Sequence, residues 1–326
     1  MQSKELRSLA WHKNWFRIIK KNQMRIFYLF RSVVLIVGLL FYISCNNKPE
    51  AKKEEEPKPK PVSLRSTDYD LVKPVNGWAL SDSLAEISGI TFLQNERLIA
   101  IEDLHPILYE LRLNDSTGAI ITKHQFRETD KEKFDFEDLA AVGDTIYALW
   151  SHGAIFKITK QKNGFTSERT KTWLKKENNT EGLAFDPVSG NLLIACKDDA
   201  GLEDVKKSTK AIYEFDTKAD SLKPDPFMLI KKSDFENVAG EKIDFYPAAI
   251  GIHPVSYDIF IISTKETKCI AQFSHDGKLK AFDYLEKEML PQPEGICFDT
   301  KGNLYISTQA RHGKPAFIYE FSLKAN

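Results

Sequence analysis

Short apolar segments recur in a fixed order along most of the chain, beginning near residue 86. Three kinds follow one another in each unit, with sequences such as EGLAFDP, NLLIACK and AIYEFDT. They are rich in β-branched and aromatic residues, and turn pairs such as Ser189-Gly190 and Lys301-Gly302 separate them, a pattern typical of short β-strands. The five copies of the first kind are residues 86–92, 137–143, 181–187, 248–254 and 294–300.

The repeat predicts a β-propeller. A fourth, more polar segment follows most of the units, whose starts are spaced 51, 44, 67 and 46 residues apart. Three of these spacings match the size of a four-stranded propeller blade. We therefore expect an all-β, five-bladed β-propeller over residues 66–326. The alternative is a six-bladed ring, which would need a degenerate blade within residues 198–247.

The last unit runs out of chain after its third strand, and an unpaired sheet edge there would be prone to aggregation. The segment YDLVKPVNGWAL, residues 69–80, precedes the first unit and could supply the missing outer strand. Pro74 is compatible with that position, because an outermost strand leaves one side of its backbone unpaired. We expect this N-terminal strand to close the ring.

The N-terminal segment has the features of an export signal. Basic residues precede the apolar run VVLIVGLLFYI, residues 33–43, which is shorter than the roughly 20 residues that span a bilayer. The sequence YISC that ends at Cys45 resembles the lipobox of bacterial lipoproteins, which implies that the Cys45 thiol is acylated. Residues 1–45 are therefore predicted to be a signal peptide, with an uncleaved signal anchor as the alternative.

The start of translation and the linker that follows the signal can also be inferred. Residues 24–45 alone have the proportions of a signal, so residues 1–23 are a spurious extension if Met24 is the true start. Residues 46–65 consist largely of Lys, Glu and Pro with almost nothing to bury, which predicts a disordered tether. A protein built this way would be anchored by lipid to a bacterial membrane, in the cell envelope.

The composition excludes several classes of function. The chain has 46 Lys and Arg against 46 Asp and Glu, so no global field would gather nucleic acid. Cys196, Cys269 and Cys297 lie in apolar runs without CxxC spacing, which predicts buried side chains rather than a zinc or redox site. No GxSxG motif or glycine-rich phosphate loop is present in the sequence. Any charged ligand must therefore be bound by local groups.

Four of the five predicted first strands begin with a glutamate, and Ala248 takes this place in the fourth. First strands lie nearest the channel of a propeller, so the glutamates should converge at one mouth. They would repel one another there unless protons or a hard cation such as calcium neutralised them. The alternative is that each glutamate binds backbone N–H groups or a basic side chain. The predicted calcium ligands are Glu86, Glu137, Glu181 and Glu294.

The loops that join second and third strands should open on the same face as these glutamates. They supply a mixture of polar side chains, each of which could also be an ordinary solvated loop residue. His152 is the nearest candidate base, and it has no HxxxH-like partner to argue for zinc. The candidate ligand-binding residues are Glu102, Asp103, His152, Lys197, Asp198 and Arg311, with Ser151, Lys265 and His312 on the same loops.

The motifs EISGI, DFEDLAAVG, NTEGLAFDP and QPEGICFDTKGNLYIST, in this order, resemble the SdiA-regulated family of bacterial envelope proteins over residues 80–323. The resemblance implies a five-bladed propeller, distantly similar to NHL-repeat proteins, with a calcium ion bound by the four glutamates. The fourth unit departs from the family pattern, since Tyr246-Pro247-Ala248 stands where an Asp-Ser-Gly-like start is usual. The resemblance implies no particular activity.

Two classes of function remain open from the sequence. The first is an exported, lipid-anchored propeller that binds calcium at the channel mouth and a small molecule or an envelope protein on that face, towards the periplasm or the cell surface. It is favoured because no nucleophile or base with an orienting partner is evident. The second is a calcium-dependent hydrolase of a lactone or phosphoester, in which the metal polarises the substrate and a carboxylate activates water. A purely structural scaffold is the remaining possibility.

Overall fold

The computed structural model describes residues 65–93, 96–114, 117–128 and 133–324. The predicted signal peptide and, except for Arg65, the predicted tether lie outside these residues. Helices are few and short in the described part, and none of them has the length and apolar character needed to cross a membrane. They are the 3-10 helices Asp82–Leu84 and Lys232–Phe235 and the α-helix Glu236–Ala239.

Twenty strands lie in the described residues, and after the first they follow one another in groups. The first five are β1 (Asn76–Leu80), β2 (Ile87–Phe92), β3 (Leu98–Glu102), β4 (Ile107–Asn114) and β5 (Thr117–Gln125). The next eight are β6 (Phe136–Val142), β7 (Thr145–Trp150), β8 (Ile155–Gln161), β9 (Gly164–Thr170), β10 (Thr180–Asp186), β11 (Asn191–Cys196), β12 (Lys210–Asp216) and β13 (Ser221–Ile230). The last seven are β14 (Pro247–Ile252), β15 (Ile259–Ser263), β16 (Cys269–Phe273), β17 (Leu279–Tyr284), β18 (Pro293–Phe298), β19 (Leu304–Thr308) and β20 (Phe317–Phe321).

Antiparallel pairing joins consecutive strands into sheets. The strands β6 to β9, β10 to β13 and β14 to β17 each form a four-stranded sheet in chain order, and the remaining eight strands form one sheet in the order β18-β19-β20-β1-β5-β4-β3-β2. The eight-stranded sheet has two halves, because β1 pairs with β5 over only two residues, Ala79 and Leu80, and in parallel orientation.

The N-terminal strand pairs as the sequence predicts. β1 runs antiparallel to β20, with Trp78 opposite Ile318, and so becomes the outer neighbour of the last strand of the chain. Ahead of β1, Tyr69 is 1% exposed and forms an isolated bridge with Leu323, while its hydroxyl donates to the carbonyl of Gly302. The two ends of the described chain are therefore fastened together in one sheet.

The strand that begins each group lies at the centre of the molecule. β2, β6, β10, β14 and β18 pack against one another in chain order, and β18 packs in turn against β2, so that these inner strands surround a central channel. Apolar clusters fill the spaces between neighbouring sheets, as where Ile99 and Leu108 pack with Phe136 and Phe156. The prediction of an all-β, propeller-like fold is confirmed.

The long segment 198–247 contains no additional sheet. Its two strands, β12 and β13, belong to the same sheet as β10 and β11. The rest includes the short helices, which bury Phe235 and Val238 in the apolar cluster shared with the β14–β17 sheet. These residues thus extend an existing sheet and cover part of the core.

Candidate functional site

A β-bulge interrupts the start of every inner strand. In β10, for example, Thr180 pairs with Cys196 and Gly182 with Ala195, so that Glu181 is the extra residue. A bulge leaves one residue out of the ladder and re-aims its side chain. The residues at this position are Ser88, Glu137, Glu181, Ala248 and Glu294.

The prediction that Glu86 shares a position with the other three glutamates is wrong. Strand register places Ser88, not Glu86, at the bulge position of β2. Gly89 resumes the pairing directly after the bulge, as Gly182 and Gly295 do in their strands. Matching the repeats by their acids instead of their glycines shifts the first unit by two residues. Glu86 is exposed just before β2, at the same distance from the bulge as Asp135, Asn179, Tyr246 and Gln292 in the other units.

The three remaining glutamates and Asp103, which follows β3, act on one another through their charges. Burial, together with the charges of Glu181, Asp135 and Asp103, raises the pKa of Glu137 well above its usual range. Burial and the charge of Glu294 raise the pKa of Asp103 to about 7. Burial is also the main reason that the pKa of Glu294 rises to about 7. The carboxylates of the mouth are therefore poorly solvated, and the charge of each one opposes the ionisation of the others.

Lys197 is the counter-ion of this cluster. Its Nζ lies 2.5 Å from Oε2 of Glu181, and both side chains are largely buried. Burial alone would lower the pKa of Lys197, but the charges of Glu181 and Glu294 raise it on balance. One ammonium group therefore neutralises part of the cluster. It stabilises the ionised form of Glu181 more than that of Glu137.

The carboxylates also differ in the hydrogen-bond donors that surround them. Asn179 donates to Oε1 of Glu181 over 2.8 Å, and Gln292 donates to Oε1 of Glu294 over 2.9 Å. Within the described residues, by contrast, Oδ1 of Asp103 is buried without a hydrogen-bond partner. Two glutamates are thus held in place, while Asp103 retains an oxygen that could accept a bond or ligate a cation.

Asp138 was not singled out from the sequence, yet it fills the channel just inside the mouth. It is fully buried, and its carboxyl group accepts hydrogen bonds from the backbone N–H groups of Leu139 and Leu183, each at 2.8 Å. A further backbone bond comes from Ile250, so Asp138 joins β6, β10 and β14. Burial raises its pKa well above the usual range.

Asp138 could have been recognised from the residues at the equivalent position of the other inner strands, which have almost no side chain. In the strand register they are Gly89, Gly182, Ala249 and Gly295. A Cβ atom on Gly89 would stand only 2.6 Å from Cα of Asp138. The channel accommodates one side chain at this level, and an acid in one repeat opposite glycine or alanine in the others could have indicated it.

The predicted loop residues surround the same mouth in different ways. Asp198 accepts from Asn179 through Oδ2 and lies 3.4 Å from Lys265 through Oδ1. Arg311 donates from Nε to Gln292. His152 is exposed and stacks on Trp150, with ring centroids 5.5 Å apart. It forms no hydrogen bond or ion pair with a carboxylate of the described residues, so nothing there marks it as a base.

Glu102 has a partner that sequence reasoning missed. It is buried, its Oε2 accepts from the backbone N–H of Leu104, and its Oε1 lies 2.6 Å from Nδ1 of His105. His105 stands two residues beyond Asp103 on the loop between β3 and β4. A carboxylate that orients one ring nitrogen leaves the other free for proton transfer. His105, and not His152, is therefore the candidate base on this face.

The donor set at the mouth suits a hard cation in its chemistry, because every acidic ligand available there is an oxygen donor. Among the described residues, however, no group of three or more His, Cys, Asp or Glu side chains is arranged to hold a metal ion. Calcium ligation would thus require the carboxylates to turn towards a common point, and Lys197 to release Glu181.

The far end of the channel has a different character. Beyond Asp138 the inner strands enclose a cavity of 210 Å³ that is lined mainly by aliphatic and aromatic residues, among them Ile90, Phe185 and Phe298. Cys297 also lines this cavity, and burial raises the pKa of its thiol well above the usual range. None of the described residues that line this cavity carries a charged side chain.

Fold and site together define a β-propeller-like protein with an acidic channel mouth. A family model described as SdiA-regulated matches residues 63–322. The chain belongs to the SdiA-regulated family. A search of curated proteins finds no match.

Similar solved structures are β-propeller-like proteins. Glutaminyl cyclase of Myxococcus xanthus matches 77% of this chain and 96% of its own at 12% identity, with a TM-score of 0.55. A gluconolactonase of Xanthomonas campestris matches 73% of each chain at 14% identity, with a TM-score of 0.45. The calcium structure of a family AA12 carbohydrate-active enzyme of Trichoderma reesei matches 81% of this chain and 98% of its own at 12% identity, with a TM-score of 0.47. At such identities the likeness concerns the fold alone.

Proposed function

We propose that this protein is an exported, lipid-anchored propeller of five blades that binds calcium at the mouth of its channel and a ligand on the same face. The ligand is a small molecule or an envelope protein, and the anchor is acylated Cys45. Five blades agree with the five inner strands that surround the channel, if the eight-stranded sheet is counted as two blades that meet between β1 and β5.

The observation that carries the calcium proposal is the excess of carboxylate over counter-charge. Glu137, Glu181, Glu294 and Asp103 influence one another. Among the described residues, Lys197 is the cation that pairs with this cluster, and Lys268 acts on Glu294 through its charge. Protons would have to occupy part of this cluster at neutral pH, whereas a divalent cation would neutralise it without protonation. Once bound, calcium would supply a positive centre able to attract an oxygen atom of a ligand.

In this proposal the side chains of the mouth have different roles in calcium binding. Glu137 and Asp103 are the primary ligands, because neither is committed to Lys197. Glu294 is held by Gln292 beside them, and Glu181 joins only in competition with Lys197. Glu86, being exposed and outside the bulge position, contributes long-range charge through its effect on Asp103.

Calcium titration of the metal-free full chain in detergent tests the proposal. Replacing Lys197 with Met removes a cation that competes for Glu181 and repels the incoming ion, so calcium should bind about tenfold more tightly. The exposed Lys207, changed to Met, is the matched control and should leave calcium affinity unchanged. Isothermal titration calorimetry measures the affinities.

Thermal melts provide the second readout. Calcium at 100 times its dissociation constant should stabilise the parent by roughly 2.7 kcal/mol if it binds only the folded state. A parent protein that takes up no calcium, and whose melting temperature responds to neither calcium nor chelator, would eliminate the calcium site.

A calcium-dependent hydrolase of a lactone or phosphoester is the second candidate, and the Glu102–His105 pair favours it. An imidazole oriented by a buried carboxylate could remove a proton from water beside the acidic mouth. A screen of lactones and phosphoesters, with and without chelator, tests this function. Activity that persists in His105→Ala would exclude His105 as the base.

A further inference from the structure

The charges around the channel mouth are unevenly distributed. One side carries Glu137 and Asp103, which form no ion pair within the described residues, whereas four basic side chains lie at the start of β12 and on the loops after β15 and β19. We call the latter group the basic sector. It consists of Lys210, Lys265, Lys268 and Arg311. Ala248 occupies the bulge position of the β14–β17 sheet, so the glutamate found at that position in three of the other inner strands is missing here.

Tyr246 is the contact point of two lysines in the basic sector. Nζ of Lys210 lies 4.3 Å from the centroid of the Tyr246 ring, and Nζ of Lys265 lies 4.7 Å from it. An aromatic face attracts each ammonium group, but the two positive charges repel each other. The ring therefore holds two like charges close together without neutralising them.

Lys210 is the more deeply buried of the two lysines and therefore needs more charge compensation. The residue is only 4% exposed, and its ammonium donates to the backbone carbonyl of Asp198 over 2.8 Å, a neutral acceptor. Burial lowers the pKa of Lys210 and the charge of Lys265 adds to this effect, while the charges of Asp198, Asp199 and Asp244 oppose it. A buried ammonium group is costly unless an anion compensates it.

The carboxylate of Asp198 provides only part of that compensation. Its Oδ1 faces Lys265 at 3.4 Å, and its Oδ2 accepts from Asn179, which also donates to Glu181. One carboxylate is thus divided between a lysine and the network of the acidic cluster. This chain of contacts connects the lysine pair directly to the predicted calcium ligands.

We propose that Lys210 and Lys265, flanking Tyr246, form a subsite for an oxyanion, namely a carboxylate or phosphate group of the ligand. The inference rests on the proposed function, in that it names the chemistry of the ligand bound on this face. An oxyanion held by both ammonium groups would accept charge-assisted hydrogen bonds and offset their mutual repulsion. The ligand class is therefore a small organic acid or phosphorylated compound whose remaining groups extend towards the carboxylates.

Isothermal titration calorimetry of the full chain in detergent, at constant ionic strength, tests the subsite with inorganic phosphate and with acetate as separate probes. At least one of these anions should bind. Lys210→Met and Lys265→Met should each weaken that binding about tenfold, because each removes one charge-assisted hydrogen bond. Lys207→Met removes a positive charge from an exposed position of the loop that precedes β12 and should have no effect.

The stronger of the two probes identifies the chemical group that the subsite prefers. Absence of binding by both anions, or equal binding by the parent and the two variants, overturns the proposal. Lys265 is exposed, so its variant tests the subsite even if the Lys210 variant fails to fold. Repeating the titrations with calcium and with chelator separates the two proposals. Anion binding without calcium binding would contradict the calcium site alone, and calcium binding without anion binding would contradict the subsite alone.

Discussion

At the scale of single residues, position within the carboxylate cluster decides what each acid does. Glu137 and Glu181 occupy the same bulge position, but Lys197 lies against Glu181 and not against Glu137. From the repeat alone, replacing Glu181 or Glu294 with Gln should stabilise the calcium-free protein by removing repulsion. The ion pair with Lys197 reverses this expectation for Glu181.

We therefore expect opposite effects from two identical substitutions in chelator at pH 7. Glu137→Gln should stabilise the protein by about 1 kcal/mol, because it removes a carboxylate whose ionisation is opposed by burial and by like charges. Glu181→Gln should destabilise it by about 2 kcal/mol, because it leaves the largely buried Lys197 without its carboxylate. Urea unfolding measures both values, and stabilisation by Glu181→Gln would contradict the role given to Lys197.

The pH dependence of the Glu137→Gln variant follows from the direction in which the pKa of Glu137 is shifted. The pKa of Glu137 is higher in the folded protein than the ordinary 4.5, so the folded state holds a proton that the unfolded state releases. Stability from this group is fully present below pH 4.5 and is lost as the pH rises towards the folded value. In chelator, the advantage of Glu137→Gln over the parent should thus grow between about pH 5 and 8, and an advantage independent of pH would refute the assignment.

At the scale of elements, the bulge and the closing strand have the largest consequences. Each bulge puts one side chain at the mouth, and Asp138, one residue later, ties three inner strands together through their backbone N–H groups. The closing strand fastens the last sheet at its outer edge. Without it β20 would expose an unpaired edge.

The closing strand can be tested with a matched pair of substitutions. Trp78 is 6% exposed and stacks on Tyr305 with ring centroids 6.3 Å apart, so Trp78→Ala should cost about 3 to 5 kcal/mol. Val72 lies in the same N-terminal segment but is 76% exposed, and Val72→Ala should change stability by less than about 0.5 kcal/mol. Equal urea midpoints for the two variants would show that β1 does not hold the ring closed.

At the scale of the whole molecule, the anchor and the channel are separate parts of the proposal. Cys45 lies outside the described residues, and its acylation stays a prediction from the YISC motif. The acidic mouth, the carboxyl group of Asp138 and the apolar far cavity belong to the folded part and do not depend on the anchor.

Replacing Cys45 with Ala or Ser removes the only proposed attachment atom for lipid. We expect labelled fatty acid to be absent from both variants and the protein to leave the membrane fraction, while calcium binding stays at the parental value. Cys196, which is buried, supplies a control thiol whose change to Ala should leave labelling intact. Undiminished labelling of the Cys45 variants would end the lipoprotein proposal.

Much of the architecture could be predicted from the sequence because its signals are local. The alternation of short apolar segments with Gly-containing turns predicts the strands, and the unpaired last unit predicts the closing strand. The candidate site was predicted less well. The charges of Glu137, Glu181 and Glu294 act on one another and on Lys197, but Glu86 was placed out of register, and Asp138 and His105 were missed.

The order and type of the elements can thus be read from the chain alone, since burial pattern and turn chemistry act over a few residues. Only the tertiary structure decided which acids are paired and which are not. The Lys197–Glu181 pair, the pKa of Glu137 and the two lysines on Tyr246 join side chains from different strands and loops. Charge interactions depend on distance and burial in three dimensions, and these quantities arise only when the sheets close around the channel.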